Sequence, residues 1–155
     1  MEDQLRYRDP GTRSYDLAID VDVVCPRCGG RAFVIAEPVD GVLALSWPRR
    51  FVCPGCGRSA FWEPARRWSC WGGPTDPFFG LPLWLRTTCC GGRTLWAFNR
   101  AHLELLEGHL AAGLRERGTA GQGLTLLARL PAWLKAGRHR GEVLRALDRL
   151  RRSLD

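Results

Sequence analysis

The chain has 155 residues, 45% of them hydrophobic, with a formal net charge of +7 and a pI near 9.5. That length points to one domain or two small ones, and that apolar content excludes a chain disordered as a whole. The most apolar window, Phe78 to Leu85, is broken by Gly80 and Pro82 and falls far short of the ~20 residues a membrane-spanning helix needs. The N-terminus, Met1-Glu-Asp-Gln-Leu-Arg6, is charged and lacks a signal-peptide hydrophobic run, so a soluble cytoplasmic protein without a membrane partner is expected. The positive charge permits contact with nucleic acid, anionic surfaces or acidic proteins. All but Lys135 of the 23 basic residues are arginine, a composition typical of a GC-rich bacterial genome. Such bias accounts for the type of cation and leaves the net charge to be explained. The seven cysteines are odd in number and four fall in a metal-ligand pattern, which suits a reducing compartment better than a secreted disulfide scaffold.

In chain order, residues 1–14 read as a loose polar arm with Pro10-Gly11. Tyr15, Leu17, Ile19, Val21 and Val23 alternate with Asp16, Asp20 and Asp22, so a half-buried strand is expected to run into Cys25. Arg31 to Ala36 reads as a second strand, Pro38 to Gly41 as a turn, and Val42 to Trp47 as a third strand. Arg50 to Cys53 enters a second cysteine turn, and Arg58 to Trp62 leaves it. The two turns are Cys25-Pro-Arg-Cys-Gly29 and Cys53-Pro-Gly-Cys-Gly57. In each, two thiolates can reach one ion, and the glycine permits a positive φ that aims backbone amides at the sulfurs. Cys25, Cys28, Cys53 and Cys56 together make four sulfur ligands of the kind that suits one structural Zn²⁺. The competing readings are a pair of disulfides or plain buried thiols.

Residues 20–63 resemble a zinc ribbon of the type found in transcription factor IIB and in many bacterial proteins, on Cys25, Cys28, Cys53, Cys56, Gly29 and Gly57. The resemblance implies an antiparallel β ribbon around zinc, with metal binding supplying on the order of 10 kcal/mol of its folding free energy. It implies no single function, because ribbons serve DNA binding, RNA binding, polymerase docking and structural stapling.

Residues 63–77 read as a proline- and glycine-containing linker in which Trp68 and Trp71 still pack. Two apolar runs on either side of Gly91-Gly92 read as a tryptophan-rich β-hairpin. Asn99 is suited to cap a helix carrying Leu103, Leu106, Leu110 and Leu114 and ending at Gly118. A flexible loop follows to Gly123, then a short helical piece from Leu124 to Leu130. Val143, Leu147, Leu150 and Leu154 mark a last amphipathic helix over 142–154. The succession Pro82-Leu-Trp-Leu85, Cys89-Cys-Gly91, Leu95-Trp-Ala-Phe-Asn99 and Arg129-Leu-Pro-Ala-Trp-Leu-Lys135 also resembles the C-terminal part of a group of bacterial zinc-ribbon proteins. The expected fold is α+β: arm 1–14, ribbon 15–63, and a hairpin plus helices over 64–155 packed on the ribbon.

Cys70, Cys89 and Cys90, with irregular spacing, read as buried small thiols rather than a second site with His102. His102 and His109 stand seven apart, too far to chelate one ion, and read as surface or interface residues. No nucleophile motif appears, and zinc held by four thiolates leaves no position for a catalytic water, so an enzyme is not expected. Residues 129–155 carry eight basic and three acidic side chains. Arg138 and Arg140 flank His139, while Arg145, Arg149 and Arg152 step by four and three into one stripe able to follow phosphates. A solvated helix face is the alternative. A second group, Arg49-Arg50 and Arg66-Arg67, lies beside Trp47, Phe51 and Trp68, where aromatic residues either stack bases or fill a small core. The expected function is a non-enzymatic zinc protein contacting DNA or RNA with low sequence specificity. The alternative is a protein-interaction adaptor docking through Trp84, Trp96 or Trp133.

Overall fold

Apolar residues flank both cysteine turns, and they become the strands that hold those turns together. The computed structural model describes residues 6–8, 11–64, 71–111, 114–116, 126–127 and 129–155. In chain order the elements are β1 (Arg6–Arg8), α1 (Ser14–Leu17), β2 (Asp20–Val24), β3 (Arg31–Ala36), β4 (Arg49–Val52), β5 (Ser59–Trp62), β6 (Leu85–Cys89), β7 (Arg93–Ala97), α2 (Arg100–Ala111), β8 (Leu114–Glu116), α3 (Ala132–Lys135) and α4 (Arg140–Arg152). Short 3₁₀ turns occupy Ala44–Ser46 and Gly137–His139. The class is α+β, with an antiparallel N-terminal sheet, a second hairpin and C-terminal helices.

The chain divides into two compact units. One comprises Ala18–Arg86 and Trp96–Asn99. Its sheet runs β2-β3-β4-β5, antiparallel throughout, with Val21 opposite Val34 and Val34 opposite Phe51. Val21, Val23, Val34, Phe51, Trp62, Leu83 and Phe98 are buried in this unit. Trp62 and Trp71 both meet Phe78 edge-on, at ring separations of 4.9 and 5.7 Å, and Trp71 also meets Phe98 at 6.0 Å. Trp71 therefore packs, as the sequence suggests; Trp68 lies outside the described residues.

Three expectations for this unit change. The strand into Cys25 starts at Asp20, because Ser14–Leu17 closes a helical turn in which Asp16 accepts the Arg13 amide at 3.0 Å. Asp22, on the polar side of the alternation, is buried and paired with Arg31 at 3.0 Å. Val42 to Trp47 is not a strand. Trp47 Nε1 donates back to the carbonyls of Val42 (2.9 Å) and Val39 (3.2 Å), and the following Pro48 has no amide to offer a ladder. The partner of β3 is β4, whose end runs straight into Cys53.

The other unit comprises Met1–Leu17, Thr87–Leu95 and Arg100–Asp155. Leu103, Leu106 and Leu110 of α2 and Val143, Leu147 and Leu150 of α4 are buried here, as the 3.6-residue period requires. Glu107 of α2 and Arg151 of α4 pair through two hydrogen bonds. The helix from Asn99 ends at Ala111 rather than Gly118. Leu114–Glu116 form a strand parallel to Arg6–Arg8, in the register Arg6 with Leu114. His102 and His109, expected at surface or interface positions, lie on the buried side of α2. His102 is 2% exposed, and burial pulls its pKa from 6.5 down to about 3. Gly118 to Gly123, Leu124 and Thr125 lie outside the described residues. No helix among the described residues is long and apolar enough to cross a membrane.

Candidate metal centre

Each cysteine turn is built the same way from its backbone. In the first, the Cys25 amide donates to Gly30 O and the Gly29 amide donates to Cys25 O, both at 2.9 Å. In the second, the Cys53 amide donates to Arg58 O and the Gly57 amide to Cys53 O, again at 2.9 Å. Closing both turns takes a left-handed residue, supplied by Gly29 at φ +72° and Gly57 at φ +75°. The turns leave from the ends of β2 and β4 and return into β3 and β5, so the sheet places them face to face.

The four sulfurs converge as the spacing predicts. Cys25, Cys28, Cys53 and Cys56 place their Sγ atoms within 4.8 Å of one another. Cys25 and Cys56 are 3.7 Å apart, and Cys28 and Cys53 are 3.5 Å apart. A sulfur tetrahedron around a metal at the usual ~2.3 Å bond length has edges of about 3.8 Å. A disulfide needs about 2.05 Å, so these are free thiols at metal-ligand spacing. The Arg27 amide points at Cys25 Sγ and the Gly30 amide at Cys28 Sγ, each at 3.4 Å. Those donors stabilise thiolates. Close approach matters as well: a Cβ on Gly30 would sit 3.3 Å from Cys28 Sγ.

The electrostatics of the cluster favour a cation. The Cys28 amide, with help from the Arg27 amide and neighbouring thiols, holds Cys25 down to about 6 against the effect of burial. For Cys28 the Gly30 amide favours ionisation, yet the contact with Cys53, burial and the other two thiols push it up to about 11. One thiolate forms readily and the next is opposed by the first. A dication between the sulfurs removes that opposition and takes all four as thiolates. Cys25 and Cys53 are buried while Cys28 is exposed, so the site sits at the unit's surface.

Beside the turns lies a surface cavity of about 280 Å³ that the sequence did not announce. Pro26, Phe51, Arg58, Phe61, Phe79 and Leu81 are among its lining residues, and Phe61 is 70% exposed. Phe51 is core, the second of the two readings the sequence left open. Arg49 is also core, fully buried, with its guanidinium 4.1 Å over the Phe78 ring; Arg50 is exposed. Arg66 and Arg67 lie outside the described residues, as does Cys70.

In the helical unit, Arg138, Arg145, Arg149 and Arg152 are exposed, and Arg140 is half-buried with its Nε unpartnered. Arg152 pairs with Asp148 of the same helix. Cys89 and Cys90 are buried, as expected of small thiols, and burial followed by the neighbouring Cys90 pushes Cys89 up to about 12. Trp84, Trp96 and Trp133 are all half-buried, and the Arg93 guanidinium lies 5.6 Å over the Trp133 ring.

Comparison of the chain with protein-family models, with curated proteins and with solved structures finds no match. The likeness to a zinc ribbon therefore stands on the four cysteines and their geometry.

Proposed function

We propose that this chain is a non-enzymatic protein in which Cys25, Cys28, Cys53 and Cys56 hold one structural Zn²⁺ and an arginine-rich helix contacts nucleic acid with low sequence specificity. Four thiolates at tetrahedral spacing are the donor set zinc takes in closed structural sites. Zinc contributes no open coordination position there, and its role is to hold β2–β5 together.

One observation carries the nucleic-acid reading. Arg145, Arg149 and Arg152 stand exposed at steps of four and three along α4, while Val143, Ala146, Leu147 and Leu150 bury the opposite face. Arg138 adds an exposed cation just before the helix. A row of this kind follows a phosphate backbone without reading bases, which accounts for low specificity. The adaptor reading draws on exposed Phe61 and the apolar cavity beneath it, rather than on Trp84, Trp96 or Trp133, which are half-buried.

Fluorescence anisotropy of zinc-loaded protein with labelled single-stranded DNA, duplex DNA and RNA across a salt series tests the proposal. Removing one arginine–phosphate pair should flatten the log–log salt slope by roughly 0.7–0.9. Arg145→Ala, Arg149→Ala and Arg152→Ala combined should therefore flatten it by about 2–3. No binding at low salt refutes the nucleic-acid role and directs attention to the Phe61 surface.

A further inference from the structure

The turn of the β6–β7 hairpin has an unusual backbone. Cys90, Gly91 and Gly92 take φ values of +54°, +79° and +90° in succession. Glycine reaches this region freely. Cys90 does not, and among the described residues it is the one non-glycine with a positive φ. A side chain persists in such a conformation where its surroundings over-determine it. The surroundings of Cys90 are specific. Its amide donates to Glu142 Oε1 at 2.7 Å, which ties the first turn of α4 to the hairpin tip across 52 positions of sequence. Glu142 lies three residues after His139, so the two side chains emerge on one side of the helix start.

From these constraints we infer a second metal site: Cys90, His139 and Glu142 form a three-ligand pocket for a divalent cation of the Zn²⁺ type, with its fourth position open to solvent. One ligand atom from each residue lies within 4.8 Å of the other two. The set is a thiol, an imidazole and a carboxylate, the donors that borderline-soft cations accept together. Charge balances at the site, because one thiolate and one carboxylate neutralise a dication and the imidazole binds uncharged. Arg138 Nε donates a hydrogen bond to His139 Nε2 at 3.3 Å, so an exposed cation stands beside the imidazole. Arg138 is exposed and can turn into water when a metal binds His139. The Cys90–Glu142 hydrogen bond serves as the outer-shell contact that orients a ligating carboxylate. Cys90 is buried, His139 half-buried and Glu142 exposed, so an ion can enter from the Glu142 side. This site shares no ligand with the four-cysteine centre.

The test is metal stoichiometry on the full chain. Reduced, metal-free protein is titrated with Zn²⁺, and in parallel with Co²⁺ to follow the visible spectrum, then passed through gel filtration before metal is counted. Wild type should take a second equivalent beyond the four-cysteine site, with a Co²⁺ spectrum poorer in sulfur charge transfer. His139→Ala should abolish that second equivalent and spare the first. Glu142→Gln keeps an oxygen for the Cys90 amide but loses the anionic ligand; it should retain the melting temperature while weakening the second site by more than about 100-fold, beyond the 10- to 100-fold typical of outer-shell changes. Arg138→Ala should bind the second metal at least as tightly as wild type. A single equivalent in wild type overturns the inference. So does a second equivalent that survives both His139→Ala and Glu142→Gln.

Discussion

Arg49 offers a quantitative test of how the sheet unit is held together. Its guanidinium is fully buried, with no carboxylate paired to it among the described residues, and Nη1 and Nη2 instead donate to Ala18 O and Ala44 O, both at 2.6 Å, with Ile19 O at 3.2 Å. In Arg49→Met the stem volume is retained and the guanidinium is lost. Ile19 O keeps the Ala36 amide and Ala44 O keeps the Trp47 amide, whereas the buried Ala18 carbonyl loses its guanidinium donor. Two short charge-assisted bonds contribute about 4 kcal/mol together, and the stacking on Phe78 about 1 kcal/mol more. Against this, burial pulls the guanidinium from 12.5 down to about 10, an electrostatic cost of roughly 3 kcal/mol that methionine relieves. Arg49→Met should therefore destabilise by about 2 kcal/mol, lowering the midpoint by roughly 10 °C for a unit of this size. Arg49→Ala adds a cavity and should cost about 4 kcal/mol. Thermal and urea melts in excess zinc keep metal occupancy equal across the series. A methionine variant as stable as wild type would refute the reasoning, because the hydrogen bonds would then do no more than offset the burial of the charge.

Two further outcomes follow from the metal centre and from the buried histidine. Cys53→Ser should abolish binding at the four-cysteine site and with it the cooperative melting of β2–β5, a loss on the order of 10 kcal/mol of metal-linked stability; atomic absorption and circular dichroism report both, and retention of either contradicts the assignment. His102 has a folded-state pKa lowered to about 3 from 6.5, so the unfolded chain takes up a proton first as pH falls. Stability should drop below pH 6.5, by about 2 kcal/mol at pH 5, and His102→Gln should lose that component of the pH dependence while zinc release affects both proteins alike. Parallel pH profiles for the two proteins would show that His102 remains neutral for no energetic reason of the fold.

The four-cysteine cluster was legible because its information is local. Two Cys-x-x-Cys-Gly turns dictate their own hydrogen bonds and glycine conformations, and the apolar runs beside them supply strands to hold them. Helical periodicity likewise marked Leu103, Leu106 and Leu110 of α2 and Val143, Leu147 and Leu150 of α4 as buried, though it did not place His102 and His109 with them. Other features depend on partners remote in sequence. The apolar run Val42 to Trp47 reads as a strand, but only tertiary pairing shows that β3 is already occupied by the segment entering Cys53. Arg49 and Asp22 carry charge and look solvent-bound, yet carbonyls from another segment and Arg31 make their burial possible. His139 and Glu142 at a helix start say little by themselves. It is the hairpin tip, brought in from some fifty residues away, that sets a thiol beside them. Short-range geometry is written in spacing and residue type, whereas the burial of a polar group depends on what the fold brings to meet it.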